Sequence, residues 1–272
     1  MTARGGGAGR AIGVFDSGVG GLTVFKALRR ALPSDRLLYF GDTARVPYGS
    51  KTREAVTRFS FEIARFLERQ RIKLLVVACN SASALALPAL KAALRVPVVG
   101  VIDPAVRAAA AASRTGTIGV IGTEATVASG AYQRALRALA RGPRIVAAAC
   151  PLLVPLVEEG WWRHPVTRSV AGEYLRPLLR TRMDVLILGC THYPLIRGLL
   201  QRVAGRKVRL MDSGEETALE VKGLLAANGL LRRSGCGSEA FFVTDGPDRF
   251  HRLARRFLGG PSPRVRVVRL AS

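Results

Sequence analysis

Leu74-Leu75-Val76-Val77-Ala78-Cys79-Asn80-Ser81 is a run of five apolar residues that ends in a cysteine and two small polar residues. A short apolar run closed by polar residues reads as a strand buried on both faces, the strand type of parallel sheets. Cys79 then sits at the carboxyl end of the strand, where open α/β sheets place their ligands. The pattern recurs at Val185-Leu186-Ile187-Leu188-Gly189-Cys190-Thr191-His192, again an apolar strand, a cysteine and a hydroxyl residue. Two strand-end cysteines with matched surroundings read as two halves of one site.

Working outward, strands alternate with helical segments. Ala11–Phe15 is read as a strand that runs into Asp16-Ser17-Gly18-Val19-Gly20-Gly21 and a helix from Leu22. The glycines let the backbone turn sharply and offer N–H groups to an anion. A dinucleotide fingerprint would need glycine at position 23, which is Thr23. Further strands are expected at 36–40, 96–102, 117–121, 145–149, 208–211, 240–244 and 264–270. Helices lie between them, one carrying Val56, Phe59, Ile63, Phe66 and Leu67 on one face. Pro88 interrupts or delays the helix after Cys79, and one long helix is expected from Thr123 to about residue 140. Asp103-Pro104 reads as a turn and a hinge. Asp212-Ser213-Gly214 repeats, after a strand, the Asp-Ser-Gly of 16–18. The alternation predicts an α/β protein with parallel sheets, in two related halves.

Composition narrows the function classes. The chain has 272 residues, of which 49% are hydrophobic, enough for a sizeable core. No apolar run approaches the ~20 residues of a membrane helix, and the run from Ala11 stops at Asp16, too soon for a signal-peptide core. A cytoplasmic protein with no membrane contact is expected. The basic, glycine-rich residues 1–10 are expected to be a disordered tail. Cys79, Cys150, Cys190 and Cys236 form no CxxC pair, so zinc-ribbon spacing is absent. Forty-two basic residues against nineteen acidic ones give +23, with lysine at only six positions. That charge reads either as nucleic-acid binding or as a surface skewed to arginine; the arginines are scattered, which favours the second. Attraction to polyanions at low salt follows either way.

A thiolate at a strand end beside a helix N-terminus can be a nucleophile, a metal ligand or a base. A single such cysteine would suggest a nucleophile with His192 as its base. Two equivalent ones suggest proton removal from one face of a carbon and delivery to the other, which is what racemisation needs. Structural cysteines, a redox pair and a zinc site on Cys190 and His192 are the alternatives.

Five motifs carry a resemblance: Asp16-Ser17-Gly18-Val19-Gly20-Gly21, Pro47-Tyr48-Gly49, Ala78-Cys79-Asn80-Ser81-Ala82, Gly189-Cys190-Thr191-His192-Tyr193-Pro194 and Asp212-Ser213-Gly214. In this order they resemble the bacterial glutamate racemases of the aspartate/glutamate racemase family. Ser81 stands where that family usually has threonine; it keeps the hydroxyl and loses a methyl. The resemblance implies two α/β domains related by a pseudo-twofold axis with the active site between them, 1–102 plus 213–272 forming one and 103–212 the other. It implies interconversion of L- and D-glutamate without a cofactor or metal, supplying D-glutamate for peptidoglycan. Cys79 would act on the D-enantiomer and Cys190 on the L-enantiomer, assisted by Asp16, His192 and Glu158. Asp16, Ser17, Tyr48, Gly49, Asn80, Ser81, Thr123, Thr191 and His192 would hold the substrate. A homodimer is implied; aspartate as substrate, and an interaction with nucleic acid or DNA gyrase, stay open.

Overall fold

A computed structural model describes residues 7–139 and 143–270. All its strand pairs are parallel, in two sheets. The first is built from β1 (Ala11–Asp16), β2 (Leu37–Gly41), β3 (Ile72–Val77), β4 (Val98–Gly100), β9 (Glu239–Val243) and β10 (Val265–Val267), in the order β10-β9-β2-β1-β3-β4. The second holds β5 (Thr117–Gly122), β6 (Arg144–Ala149), β7 (Val185–Gly189) and β8 (Arg209–Asp212), in the order β6-β5-β7-β8. The core of the first sheet, second-first-third-fourth, is thus the order of the whole second sheet. The expected pair of parallel-sheet α/β domains is what the chain forms.

The apolar runs explain the strands. β1, β3 and β7 are buried along their full length, as strands covered on both faces must be. Two apolar clusters form, and each draws on both sheets. Val14 and Tyr39 join Leu186 and Leu188 in one; Leu75 and Val77 join Val120 and Ile187 in the other. The helices that cover the sheets are α1 (Leu22–Ala31), α2 (Arg53–Arg69), α3 (Asn80–Leu85), α4 (Leu87–Ala93), α5 (Ile102–Ala112), α6 (Glu124–Ala128), α7 (Ala131–Arg137), α8 (Leu153–Glu158), α9 (Pro165–Leu179), α10 (Arg197–Ala204), α11 (Ser213–Ala227) and α12 (Pro247–Leu258). Val56, Ile63 and Leu67 are the buried members of the stripe expected on α2.

Four expectations need correction. Asp103-Pro104 is not a turn: both residues lie in the first turn of α5. Proline is tolerated there because that turn has no backbone acceptor for its N–H. Strand β4 is three residues long rather than spanning 96–102, and β10 is likewise three residues long rather than spanning 264–270. The long helix after Thr123 is two helices, broken where Gly130 adopts a left-handed φ of 65°. The helix after Cys79 starts at once, as α3, and is interrupted at Ala86; Pro88 falls in the first turn of α4, which follows. Of the expected tail, residues 1–6 lie outside the described part, and Ala8 offers its carbonyl to Lys73.

Lys73, the second residue of β3, is a buried ammonium. It pairs with the buried Asp35 and donates to the carbonyls of Ala8, at 2.9 Å, and Leu230, at 2.7 Å. It therefore ties three segments distant in sequence, at Ala8, Asp35 and Leu230, to one strand. Lys73→Met would leave the Asp35 carboxylate buried without its cation, so a loss of about 3–5 kcal/mol is expected, read as a lower urea midpoint. A change below about 1 kcal/mol would mean that the pair contributes little beyond what packing supplies.

Candidate active site

The strand registers bring the two cysteines to matching places. Asp16 ends β1, and Ala78 donates its N–H to the Phe15 carbonyl, which sets Ser17 beside Cys79. In the second sheet Gly122 ends β5 opposite Gly189 of β7, which sets Thr123 beside Cys190. Ser17 with Cys79 and Thr123 with Cys190 are therefore corresponding pairs at the carboxyl ends of corresponding strands.

On the first side, the Cys79 thiol donates toward Ser17 Oγ at 3.7 Å. Burial, and then the charge of Asp16, push that thiol up to about 12; the Ala82 N–H and Ser17 act the other way. Cys79 is thus a neutral thiol near pH 7. Asp16 is fully buried, and burial raises its pKa against the nearby charge of His192 and the N–H groups of Gly21, Gly18 and Ser17. Gly18 N–H donates to Asp16 Oδ2 at 3.0 Å, while Oδ1 has no hydrogen-bond partner among the described residues. Tyr39 fixes the same loop by donating to the Gly18 carbonyl at 2.9 Å.

On the second side, a chain of three groups starts at Cys190. His192 Nδ1 lies 3.8 Å from Cys190 Sγ, and its Nε2 lies 3.0 Å from Glu158 Oε1. Burial acts against protonation of the ring, but the hydrogen bonds and charges of Cys190 and Glu158 outweigh it and raise His192 to about 10. At neutral pH the ring is an imidazolium with one N–H directed at each partner. Glu158 shows the reciprocal effect: burial alone would raise it, and His192 and Arg249 hold it below the usual carboxylate range.

Hydroxyl and amide groups line the space between the two sulfurs. Ser17, Tyr48, Gly49, Cys79, Asn80 and Ser81 face Thr123, Cys190, Thr191 and His192 across one cavity, with Val46, Pro47 and Val154 closing it. Of the residues expected in the site, only Asp16 and Glu158 do not line it; each sits behind a residue that does. Asn80 accepts from Tyr132 OH through Oδ1 at 2.7 Å, and its buried Nδ2 donor has no partner among the described residues. Ser81 bridges the two domains through hydroxyl contacts to Thr123, at 2.9 Å, and Thr126, at 3.3 Å, and the two threonines contact each other at 2.9 Å. Tyr48 differs from a free ligand group: its hydroxyl is held by the Asp42 carboxylate, which also accepts from Arg45 Nε at 2.8 Å and Thr244 Oγ1 at 3.0 Å. What Tyr48 offers the cavity is its ring and its backbone.

Sequence reasoning missed Asp42, Thr126 and Tyr132. Asp42 directly follows β2, and a single carboxylate there carries no signal of its own. Thr126 and Tyr132 reach the site only through tertiary contacts. No cluster of three or more His, Cys, Asp or Glu side chains suited to a metal ion occurs among the described residues.

The model of the Asp/Glu/Hydantoin racemase family matches residues 12–221. The chain belongs to that family. A glutamate racemase of Geobacter metallireducens is 53% identical over 92% of this chain and 93% of the relative. The crystal structure of glutamate racemase from Thermus thermophilus in complex with β-chloro-D-alanine superposes with a TM-score of 0.89 at 52% identity, covering 97% of this chain and 98% of that one. The Francisella tularensis glutamate racemase in complex with D-glutamate gives 0.90 at 36% identity, covering 97% and 98%. Membership of the racemase family, expected from five short motifs, thus holds over nearly the whole chain.

Proposed function

We propose that this family member interconverts L- and D-glutamate by a two-thiol mechanism. The observation that carries the reading is the pair of cysteines at corresponding strand ends, facing one cavity. Relatives named glutamate racemase at 53% identity, and the D-glutamate bound to the Francisella structure, support glutamate as the substrate. The chain divides into 1–102 with 213–272, and 103–212, on this reading. D-Glutamate formed in the cytoplasm would serve peptidoglycan synthesis.

The chemistry follows from the groups. In the L-to-D direction Cys190 acts as thiolate and takes the α-proton. The electron pair stays on the substrate, delocalised into its α-carboxylate. Cys79, a thiol near neutral pH, then gives its proton to the opposite face, and the two sulfurs have exchanged states. The His192 imidazolium is placed to neutralise charge on Cys190 while it is a thiolate. Asn80 Nδ2, the Ser81 and Thr123 hydroxyls and the backbone N–H groups at the start of α3 are donors for the two substrate carboxylates. Open space in the cavity is about 30 Å³ for a water-sized molecule. The domains therefore part to admit glutamate and close over it, excluding water from the carbanion.

The test is exchange of the α-proton of L-glutamate in D₂O, with no added cofactor, followed by NMR and polarimetry. Exchange coupled to loss of optical rotation supports the reading; exchange with aspartate alone would keep the mechanism and change the substrate. His192→Asn and Asp16→Asn each lower kcat, by about 10²-fold if they assist proton transfer. His192 carries its proton up to about pH 10, so its contribution is present at pH 7–9 and lost as pH rises through that value. The asparagine variant should lack this alkaline fall. Unchanged turnover in both variants would remove the assisting roles.

A further inference from the structure

The family model ends at residue 221, and the active site does not. Helix α12 lies beyond it and packs on α1 of the first domain. One face of α12 carries Arg249, Leu253, Arg256 and Phe257, the spacing of neighbours over two turns. That face covers Glu158 and His192 of the second domain. Arg249 Nη2 donates to Glu158 Oε2 at 2.8 Å, and Arg256 Nη1 donates to the Glu158 carbonyl at 3.0 Å. The Phe257 ring meets the His192 ring edge-on, with centroids 5.4 Å apart. Glu158 is the last residue of α8, so Arg256 also satisfies a carbonyl that the helix end leaves open.

We propose that α12 belongs to the acid–base apparatus on the Cys190 side: Arg249 and Arg256 are positioning residues that hold Glu158, and through it His192, against Cys190. Each oxygen of the Glu158 carboxylate has one partner, His192 on one and Arg249 on the other. Without Arg249 the carboxylate can rotate about its last torsion, and His192 loses the fixed acceptor that orients its ring. The arginine charge also keeps Glu158 ionised, and an ionised Glu158 keeps the ring protonated. The other titratable groups that face this pair are Cys190 and the buried Asp16. Because α12 is attached to the first domain and Glu158 to the second, the contact forms only when the domains are together. Closure and the arming of Cys190 are then one event.

An exposed ion pair is ordinarily worth little to stability, so a kinetic readout is needed. L- and D-glutamate have equal free energies in water. In any variant kcat/KM is therefore the same in both directions. A barrier raised on one face instead enlarges the isotope effect of α-deuterated substrate for the enantiomer deprotonated there, and diminishes it for the other. Arg249→Met is expected to lower kcat about tenfold in both directions, the effect of one pKa unit of lost preference, with KM changed by less than about twofold. Its isotope effects should become unequal in the same sense as those of His192→Asn. Arg249→Lys should recover most of the rate, and Arg249→Met/Arg256→Met should fall further. Arg255→Met, an exposed position on the same helix, should behave as wild type. Wild-type kinetics in the double variant, or a lower kcat with symmetric isotope effects, would overturn the proposal. The inference rests on the glutamate reading, and the two fail differently: an inactive wild type sinks that reading, whereas an active wild type with an indifferent double variant sinks this one.

Discussion

Cys79→Ser and Cys190→Ser are each expected to abolish inversion of glutamate, lowering kcat by about 10³-fold or more, the scale on which removal of a proton-transfer group is felt. Serine preserves the shape of the site. Its hydroxyl is a far poorer base than a thiolate and a far poorer acid than a thiol. The two variants should nevertheless differ in what they retain. With Cys79 replaced, Cys190 and His192 are intact, so the α-proton of one enantiomer can still leave and return on the same face. In D₂O that enantiomer gains deuterium without inverting, while the other does not react. With Cys190 replaced, the remaining thiol is the one that burial and Asp16 push up to about 12. Exchange on its face should therefore be slower. By the family resemblance the first variant labels L-glutamate and the second D-glutamate. Full racemisation by either variant would mean that one sulfur suffices, and the two-thiol mechanism would be dropped. Equal exchange of both enantiomers by a single variant would point to a carbanion that turns over within the cavity.

The strands and the two cysteines were legible because their signals are local. An apolar run such as Val185–Leu188 has few alternatives to a buried strand once a glycine and polar residues close it. The recurrence of strand, cysteine and hydroxyl residue is also readable along the chain, and the matched registers of Ser17 with Cys79 and Thr123 with Cys190 are its structural form. What failed was of two kinds. Asp103-Pro104 has the local chemistry of a turn and of a helix first turn alike; the apolar face of α5, buried through Ala105, Val106 and Ala109, decides for the helix. Gly130 breaks a helix only because its backbone takes φ 65°, which the residue type permits but does not require. The other losses are long-range. Nothing near Arg249 in the chain announces that it meets Glu158, ninety-one residues away, and no periodicity reports that Asp42 gathers Arg45, Tyr48 and Thr244 around one carboxylate. Most groups that touch the substrate space lie in motifs, Val46, Thr123 and Val154 apart, while the groups that hold them come from the tertiary fold.

Gly20 shows how closely the two domains must approach for the site to exist, and Gly20→Ala should cost activity on the order of 10²-fold, the scale on which ångström-sized misplacement is felt. A methyl group built on Gly20 would run into Thr191 Oγ1 and stand 2.5 Å from Cε1 and 2.6 Å from Nδ1 of His192. The backbone of Gly20 is not left-handed, so alanine is conformationally tolerated and the cost is steric alone. His192 has no room to retreat. Glu158 holds its Nε2, Phe257 stands against its ring, and Thr23 of α1 binds the Thr191 carbonyl at 2.9 Å. Either the ring tilts away from Cys190, or the loop after β1 withdraws and the cavity stays open to water. Both outcomes lower kcat without unfolding the protein, so the thermal transition should move by only a few degrees. Gly223→Ala provides the contrast. Nothing lies within 4 Å of its added methyl, and in the middle of α11 alanine should stabilise by about 0.5–1 kcal/mol and leave the rate alone. A Gly20→Ala enzyme that turns over within about twofold of wild type would show that the working enzyme never brings this loop against His192. The coupling of domain closure to the Cys190 side would then have to be abandoned with it.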